Sequence, residues 1–275
     1  MGNRAEAAYS MIDVAPTVSA ILGLPAPAQA RGTPIGEIVA GLAGVPRLAI
    51  LAPDALGLFA WRLWQAEMPY LAALHARQSV ILRSVLPSIT PVNFAAMVSG
   101  TDAAGHGVRT YDDDFACETL FDVVRRAGGR SAGIGLAGYT GTRLLGRFAD
   151  LCGNADKGSD DDIADQVVAL AGREGPLFLI AQFGRVDDTF HRYGPSSPAV
   201  VPMLRATDAR LERLVAHLCP LGYGVIILAD HGQHDRAEPT PQGLWGSHGS
   251  DSPEDCLVPC TWTSEGASSP RRPAR

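Results

Sequence analysis

Residues 47–53, RLAILAP, are apolar at every position after the first arginine. A half-buried strand alternates polar and apolar residues, because successive side chains point to opposite faces. A run with no alternation has both faces covered, which is the habit of strands in a parallel sheet flanked by helices. Similar runs recur at SVILRSVL (79–86), RSAGIGLA (130–137), PLFLIAQF (176–183) and GYGVIILA (222–229). Between them, helical spacing is predicted over 58–75, in a short helix after Thr90, over 118–129 (ETLFDVVRRAGG), over 160–174 with acidic residues in its first turn, and over 199–218. The loop SGTDAAGHGVRTYDDD follows the Thr90 helix. Asp13 and VAPTVSAILGL predict a capped helix ending at Gly23, then a loop, PAPAQARGTP. Strands alternating with helices specify an α/β fold: a three-layer sandwich with a mostly parallel central sheet and right-handed crossovers.

The chain has 275 residues, 46% of them hydrophobic, enough for a sizeable core. A single domain is expected over 1–263, with a polar, proline-rich and disordered tail at 264–275. A net charge of −6 and the lack of a basic stripe exclude a nucleic-acid scaffold. Part of that negative charge is neutralised if carboxylates bind cations. The five cysteines (Cys117, Cys152, Cys219, Cys256 and Cys260) are odd in number with no CxxC spacing, and read as reduced thiols of a cytosolic protein. Cys256 and Cys260 flank Pro259 without nearby histidine spacing, so no zinc site is expected there. No run of apolar residues is long enough to span a membrane. Residues 11–30 end in Ala-Gln-Ala, as at a signal-peptidase site, but Asp13, Pro16, Pro25 and Pro27 interrupt the run and Glu6 weakens a basic start, so a cytoplasmic location is expected.

In α/β sheets the ligand lies beyond the carboxyl ends of the strands. Asp54 follows the strand at 47–53; Asp187 and His191 follow the one at 176–183; Asp230 and His231 follow the one at 222–229; Thr90 follows SVILRSVLPSI, and His248 lies in a later loop, GLWGSHGSD. Taken singly, each is ordinary: an Asp after a strand is usually a cap or loop residue, and DDTFHRYGP alone reads as a solvated loop. Thr90-Pro91 is likewise a good helix start, with Thr as N-cap and Pro at the first helical position. The same position suits a nucleophile, since a helix N-terminus attracts anions. Three Asp, three His and one hydroxyl at strand ends form the donor set of two zinc-like ions. Two such ions can clamp the attacking and leaving oxygens of a displacement at phosphorus.

The segments LAPDALG with MPYLAALHARQ, PSITPVNFAAMVSGTDAAGHGV, DDTFHRYGP, ILADHGQ and GSHGSDSPEDCLVP together resemble the alkaline phosphatase superfamily, in its nucleotide pyrophosphatase/phosphodiesterase and phosphonoacetate hydrolase branch. The resemblance runs from about Arg47 to Pro259 in the family's order. It implies an alkaline-phosphatase-like core without a large insert domain, for which this chain has no room. It implies one metal held by Asp54, Thr90, Asp230 and His231, and a second held by Asp187, His191 and His248; Asp187 is preferred to Asp188 because the family's Asp stands four residues before its His. The ions implied are two Zn2+, with Mn2+ or another divalent ion as the alternative. Thr90 is then the nucleophile, forming a phosphothreonine that water hydrolyses. The implied substrate is a small phosphorylated molecule, a phosphodiester or nucleotide pyrophosphate, with phosphomonoester or phosphonate hydrolysis as the alternative. A phosphomutase and a non-catalytic metal-binding protein rank below these, and a sulfatase is disfavoured because no Cys/Ser-x-Pro-x-Arg pattern surrounds Thr90.

The sequence departs from the pattern in two places. The family's phosphate-binding Asn after HG is replaced by Tyr111, leaving Asn93, Arg109 and Tyr111 as candidate substrate contacts. Residues 11–36 resemble the segment that in relatives follows the last metal-binding His, so residues 1–46 read as a circularly permuted C-terminal part that supplies a structural helix and no ligand.

Overall fold

The computed structural model describes residues 7–265. Its centre is an eight-stranded sheet in the order β1-β3-β10-β7-β2-β6-β4-β5. The strands are β1 (Tyr9–Ser10), β2 (Arg47–Pro53), β3 (Ser79–Arg83), β4 (Ser131–Leu136), β5 (Leu151–Ala155), β6 (Phe178–Phe183), β7 (Tyr223–Leu228) and β10 (Leu257–Thr263). A small ribbon, β8 (His234–Asp235) with β9 (Gly246–Ser247), stands apart from it. All pairings in the main sheet are parallel except those of β10, which runs antiparallel to both neighbours.

The continuously apolar strands are the central ones. Every residue of β6 and β7, and all of β2 after Arg47, is buried. Their side chains face helices on both sides. One layer contains α4 (Pro69–Arg77), α8 (Asp160–Arg173) and α10 (Val201–Leu218); the other contains α1 (Val14–Leu22), α2 (Gly36–Gly41), α5 (Thr90–Ser99) and α7 (Leu120–Arg126). The remaining helices are α3 (Leu58–Trp64), α6 (Ala103–His106), α9 (Arg185–Tyr193) and α11 (Pro253–Cys256). Burying a side chain such as Ile50, Ile180 or Ile226 contributes about 1.5–3 kcal/mol, so this slab of strands is the main source of cohesion.

Several expectations need correction. The helical pattern over 58–75 is two helices, because Pro69 cannot continue α3 and instead starts α4. DDTFHRY is helix α9 rather than a loop. The strand predicted at 79–86 ends at Arg83, and residues 84–89 are the loop that delivers Thr90. β5 and β10 carried no clear signal: β5 is short, and Pro259 interrupts β10, whose ladder with β7 begins only at Cys260. Residues 11–22, weighed above as signal-like, lie in the core, with Met11, Val14, Ala15 and Val18 buried, and Gly23 closes α1 in the left-handed conformation. Of the tail expected to be disordered, residues 266–275 lie outside the described residues. No helix among the described residues is long and apolar enough to cross a membrane.

The architecture puts one edge to use. β7, β2 and β6 are neighbours whose carboxyl ends point the same way, β3 runs parallel to them across β10, and antiparallel β10 begins at that same edge. Asp54, Asp187, Asp230, Thr90 and the loop holding His248 therefore all emerge together.

Candidate active site

The three Asp and three His expected from the sequence meet in one contiguous cluster. Asp54 and Asp230 are almost fully buried, and so is His231. His231 Nε2 lies 3.3 Å from Asp230 Oδ2, 3.6 Å from Asp54 Oδ1 and 3.1 Å from the Thr90 hydroxyl. Asp187 and His191 stand one turn apart on α9, with Asp187 Oδ2 3.4 Å from His191 Nε2. His248 Nε2 comes within 3.6 Å of Asp187 Oδ1, and the His248 ring stacks on His231 at 4.1 Å between centroids. Asp187 belongs to both groups of neighbouring donors: Asp187–His191–His248 and Asp54–Asp187–His231. Asp188 turns away, accepting from Tyr139 Oη and from Arg185 Nη1 at 2.7 Å.

Each imidazole is held by a main-chain carbonyl. His231 Nδ1 lies 2.9 Å from the Gly232 oxygen, His191 Nδ1 3.2 Å from the Gly246 oxygen, and His248 Nδ1 3.1 Å from the Ser88 oxygen. A carbonyl only accepts, so in His231 and His248 Nδ1–H donates and Nε2 keeps its lone pair facing the carboxylates. Burial pushes the His231 imidazolium pKa down to about 4, and burial with the two neighbouring imidazoles pushes that of His248 down to about 3. Both rings are therefore neutral near pH 7. The carboxyls move the other way: burial and then the neighbouring carboxylates raise Asp54 and Asp187 well above the usual range, and burial raises Asp230 to about 6.

One oxygen of each carboxylate (Asp54 Oδ1, Asp187 Oδ1 and Asp230 Oδ2) is buried with no hydrogen-bond partner among the described residues. Buried polar atoms are normally paired. Three unpaired carboxylate oxygens beside three imidazole rings form a set that fits divalent cations of the zinc type.

Thr90 answers the question its Pro-flanked position raised. Ile89, not Thr90, is the N-cap of α5, and the Thr90 hydroxyl donates to His231 Nε2. Its oxygen lies at the first turn of a ten-residue helix, where main-chain N–H groups have no intrahelical partner.

The candidate substrate contacts fare differently. Asn93 is fully buried and spends its amide on the 85–89 loop: Oδ1 accepts from Val85 N at 2.8 Å, and Nδ2 donates to the carbonyls of Val85 and Ile89, both at 3.2 Å. It positions Thr90 and does not face a ligand, a correction to the sequence reading. The Arg109 guanidinium donates to the carbonyls of Ala103 and Val108. The Tyr111 ring packs under the Arg143 guanidinium, 4.4 Å away, and Arg143 pairs with Asp112. None of these contacts brings Arg109 or Tyr111 to the cluster.

Three supporting residues escaped the sequence reading. Gln182 donates to Asp54 Oδ2 at 2.5 Å. Gln233 sets its amide 2.9 Å from His191 Nδ1. Asp255 accepts from Ser250 N and Oγ with one oxygen and meets His234 Nδ1 with the other, fixing the loop that holds His248. Gln182 had a signal, as the only polar residue in PLFLIAQF. The other two looked like loop residues. Gly246 is needed for space: a Cβ there would lie 2.2 Å from the Phe190 oxygen, separating β9 from α9.

With this geometry in place, the likenesses to known proteins can be read. Residues 138–240 match the family model of type I phosphodiesterases / nucleotide pyrophosphatases. No curated protein sequence matches the chain. Among solved structures, phosphonoacetate hydrolase from Sinorhizobium meliloti in complex with phosphonoacetate is similar, with a TM-score of 0.56 and 20% identity over 70% of this chain. The alignment spans 58% of that hydrolase. Murine ectonucleotide pyrophosphatase / phosphodiesterase 5, in an inactive threonine-to-alanine form complexed with AMP, gives a TM-score of 0.62 with 13% identity, over 79% of this chain and 87% of that one. A putative sulfatase from Bacteroides thetaiotaomicron gives 0.59 with 16% identity, over 81% and 65%.

Proposed function

We propose that this chain, which has the alkaline phosphatase superfamily fold and matches its phosphodiesterase/nucleotide pyrophosphatase branch, is a metal-dependent hydrolase of phosphate esters with Thr90 as its nucleophile. The observation that carries this is the Thr90 hydroxyl, free of capping duty and 3.1 Å from His231 Nε2, beside three carboxylates that each present an unpaired oxygen.

Asp54, Asp230, His231 and Thr90 would hold one divalent ion, and Asp187, His191 and His248 a second. Zinc suits these donors best. When bound, such ions lower the pKa of hydroxyl and water oxygens and neutralise charge on a phosphoryl group. The protein does the rest. The N-terminus of α5 turns free N–H groups and a positive dipole end toward the phosphoryl oxygens. The 84–89 loop, tied down by Asn93 and by the Ser84 hydroxyl donating to the Asp230 carbonyl at 2.7 Å, fixes the line of attack. Thr90 Oγ1 bonds to phosphorus as the leaving oxygen departs with a proton, and water then hydrolyses the phosphothreonine. A diester or nucleotide pyrophosphate is the proposed substrate class, supported by the family match.

Residues 1–263 are proposed to work as one domain, in which 1–46 stand for the C-terminal part of relatives. The packing of α1 on α5 and α2 supports this, as does the absence of any residue from 7–46 in the cluster. The five unpaired thiols support a reducing, cytoplasmic setting.

The test pairs metal analysis with a substrate panel of aryl phosphodiester, aryl monoester, phosphonate and sulfate. Purified protein should contain about two zinc per chain and turn over the diester fastest, and chelation should abolish activity and lower Tm. Thr90→Ala should lower turnover at least ~1,000-fold while leaving Tm near that of the wild type. A variant that kept most of its activity would remove Thr90 from the mechanism, and a metal-free protein with intact fold would remove the metal reading.

A further inference from the structure

Asp54 and the segment that follows β4 are joined through Gln182. This residue sits on β6 level with Ala52 of β2 and is only 2% exposed. Its Nε2 donates to Asp54 Oδ2 at 2.5 Å, and its Oε1 accepts from the Gly141 N–H at 2.6 Å. Gly141 opens a π-helical turn, Gly141–Gly146. A Cβ at Gly141 would lie 2.5 Å from the Ile134 carbonyl oxygen, so only glycine lets this turn settle against β4 and present that N–H to Gln182. The same segment is anchored again at Tyr139, whose hydroxyl donates to Asp188, beside Asp187.

The direction of the amide follows from these partners. A main-chain N–H can only donate, so Gly141 obliges Oε1 to face it. Nε2 is then left facing Asp54 as a donor. Asp54 Oδ2 is thereby held, while Oδ1, unpartnered among the described residues, is 3.6 Å from His231 Nε2. Because the donor is neutral, it holds Oδ2 without setting a counter-charge beside Asp54 that would compete with a cation. Glutamate in this place would still accept from Gly141 but would press a second carboxylate on Asp54. Methionine would fill a similar volume and do neither.

We propose that Gln182 is a positioning residue that makes Asp54 a one-oxygen metal ligand and couples its placement to the 137–146 segment. The proposal rests on the two-metal reading above. Its consequence is selective: the ion held by Asp54, Asp230, His231 and Thr90 depends on Gln182, and the ion held by Asp187, His191 and His248 does not.

The experiment is equilibrium dialysis of the full chain against a zinc series, with elemental analysis of zinc per chain, for wild type, Gln182→Met and Gln182→Glu. Thermal unfolding of each metal-free protein checks its fold, and the Glu variant, which retains the Gly141 bond, serves if the Met variant does not fold. Wild type should take up two ions. Both variants should keep one ion at wild-type affinity and bind the other about 10–100-fold more weakly. If Gln182 merely packs the segment, Gln182→Glu binds both ions as wild type does, and the proposal falls. It falls equally if both ions are weakened alike, or if Gln182→Met is indistinguishable from wild type. A folded wild type that binds no zinc would overturn the metal reading itself, an outcome separate from any difference between variants.

Discussion

At Asn93 a single buried amide bonds to Val85, Pro87 and Ile89, closing the loop in front of Thr90. Removing it leaves several main-chain groups of that loop without their partner, each unmade bond costing about 1–3 kcal/mol. Asn93→Ala should therefore lower stability by about 2–4 kcal/mol in denaturant unfolding, and should lower turnover further than the stability loss explains, because Thr90 is no longer held in line. An Asn93 whose loss raised KM alone would instead be a substrate contact. The Asp and His residues of the cluster are legible from residue type and position after strands. The role of Asn93 is not, since its spacing from Thr90 fits a helix turn equally well whether the amide faces a ligand or the loop. Gln182 was half legible: a lone polar residue in a buried strand must find partners, but its sequence does not say which.

Among elements, the apolar strands other than β3 and the helix at 160–174 match the sequence to within two residues, because burial on both faces and an acidic first turn leave strong local patterns. The elements missed are those set by distant contacts. β10 exists because β3 and β7 leave a slot between them, not because LVPCTWT has strand character throughout. α9 is polar along most of its length, with Val186 and Phe190 as its only buried residues. The α3–α4 break also carries a pH dependence. His75 on α4 lies against Trp61 of α3, ring centroids 4.5 Å apart, and burial pushes its pKa down from 6.5 to about 4. The unfolded chain then binds a proton more readily than the folded one, so stability is lost as pH falls from about 6.5 toward 4. A depression of this size corresponds to on the order of 1–3 kcal/mol. His75→Gln removes the titrating group. Its Tm should fall less than that of wild type between pH 7 and pH 5 in metal-free protein, and parallel falls would show that His75 is not responsible.

For the whole molecule, the sheet brings the first and last described strands to the two sides of β3. β1 and β10 flank β3, but Tyr9 is level with Leu82 near the end of β3, whereas β10 stops at Thr263, beyond the start of β3 at Ser79, an offset of about 16 Å along the strands and about 10 Å across them. The turn at Ala43–Gly44, by contrast, is exposed, with Gly44 at φ +80°. Joining residue 265 to residue 7 by a Gly/Ser linker long enough to span that offset, and opening the chain before Gly44, should give a protein with the same circular dichroism, a Tm within a few degrees and unchanged zinc content. Failure to fold would count against reading residues 1–46 as a displaced C-terminal part. The fold class could be read from the sequence because alternation of strands and helices is a local pattern. The path of the chain through β10 and β1 could not, because it depends on which edges meet.

The imidazoles rest on the carbonyls of Gly232, Gly246 and Ser88. Every residue has a carbonyl, so the chemistry that orients the histidines is indifferent to what stands at those three positions. What restricts the two glycines is space: an added Cβ would collide with main chain at both. Ser88 is restricted by its hydroxyl instead: fully buried, it donates to the Ser250 carbonyl at 2.6 Å and so ties down the loop that carries His248. A comparison of residue identities would find a polar side chain at Nδ1 of His191 alone, from Gln233, and would undercount how firmly the site is built.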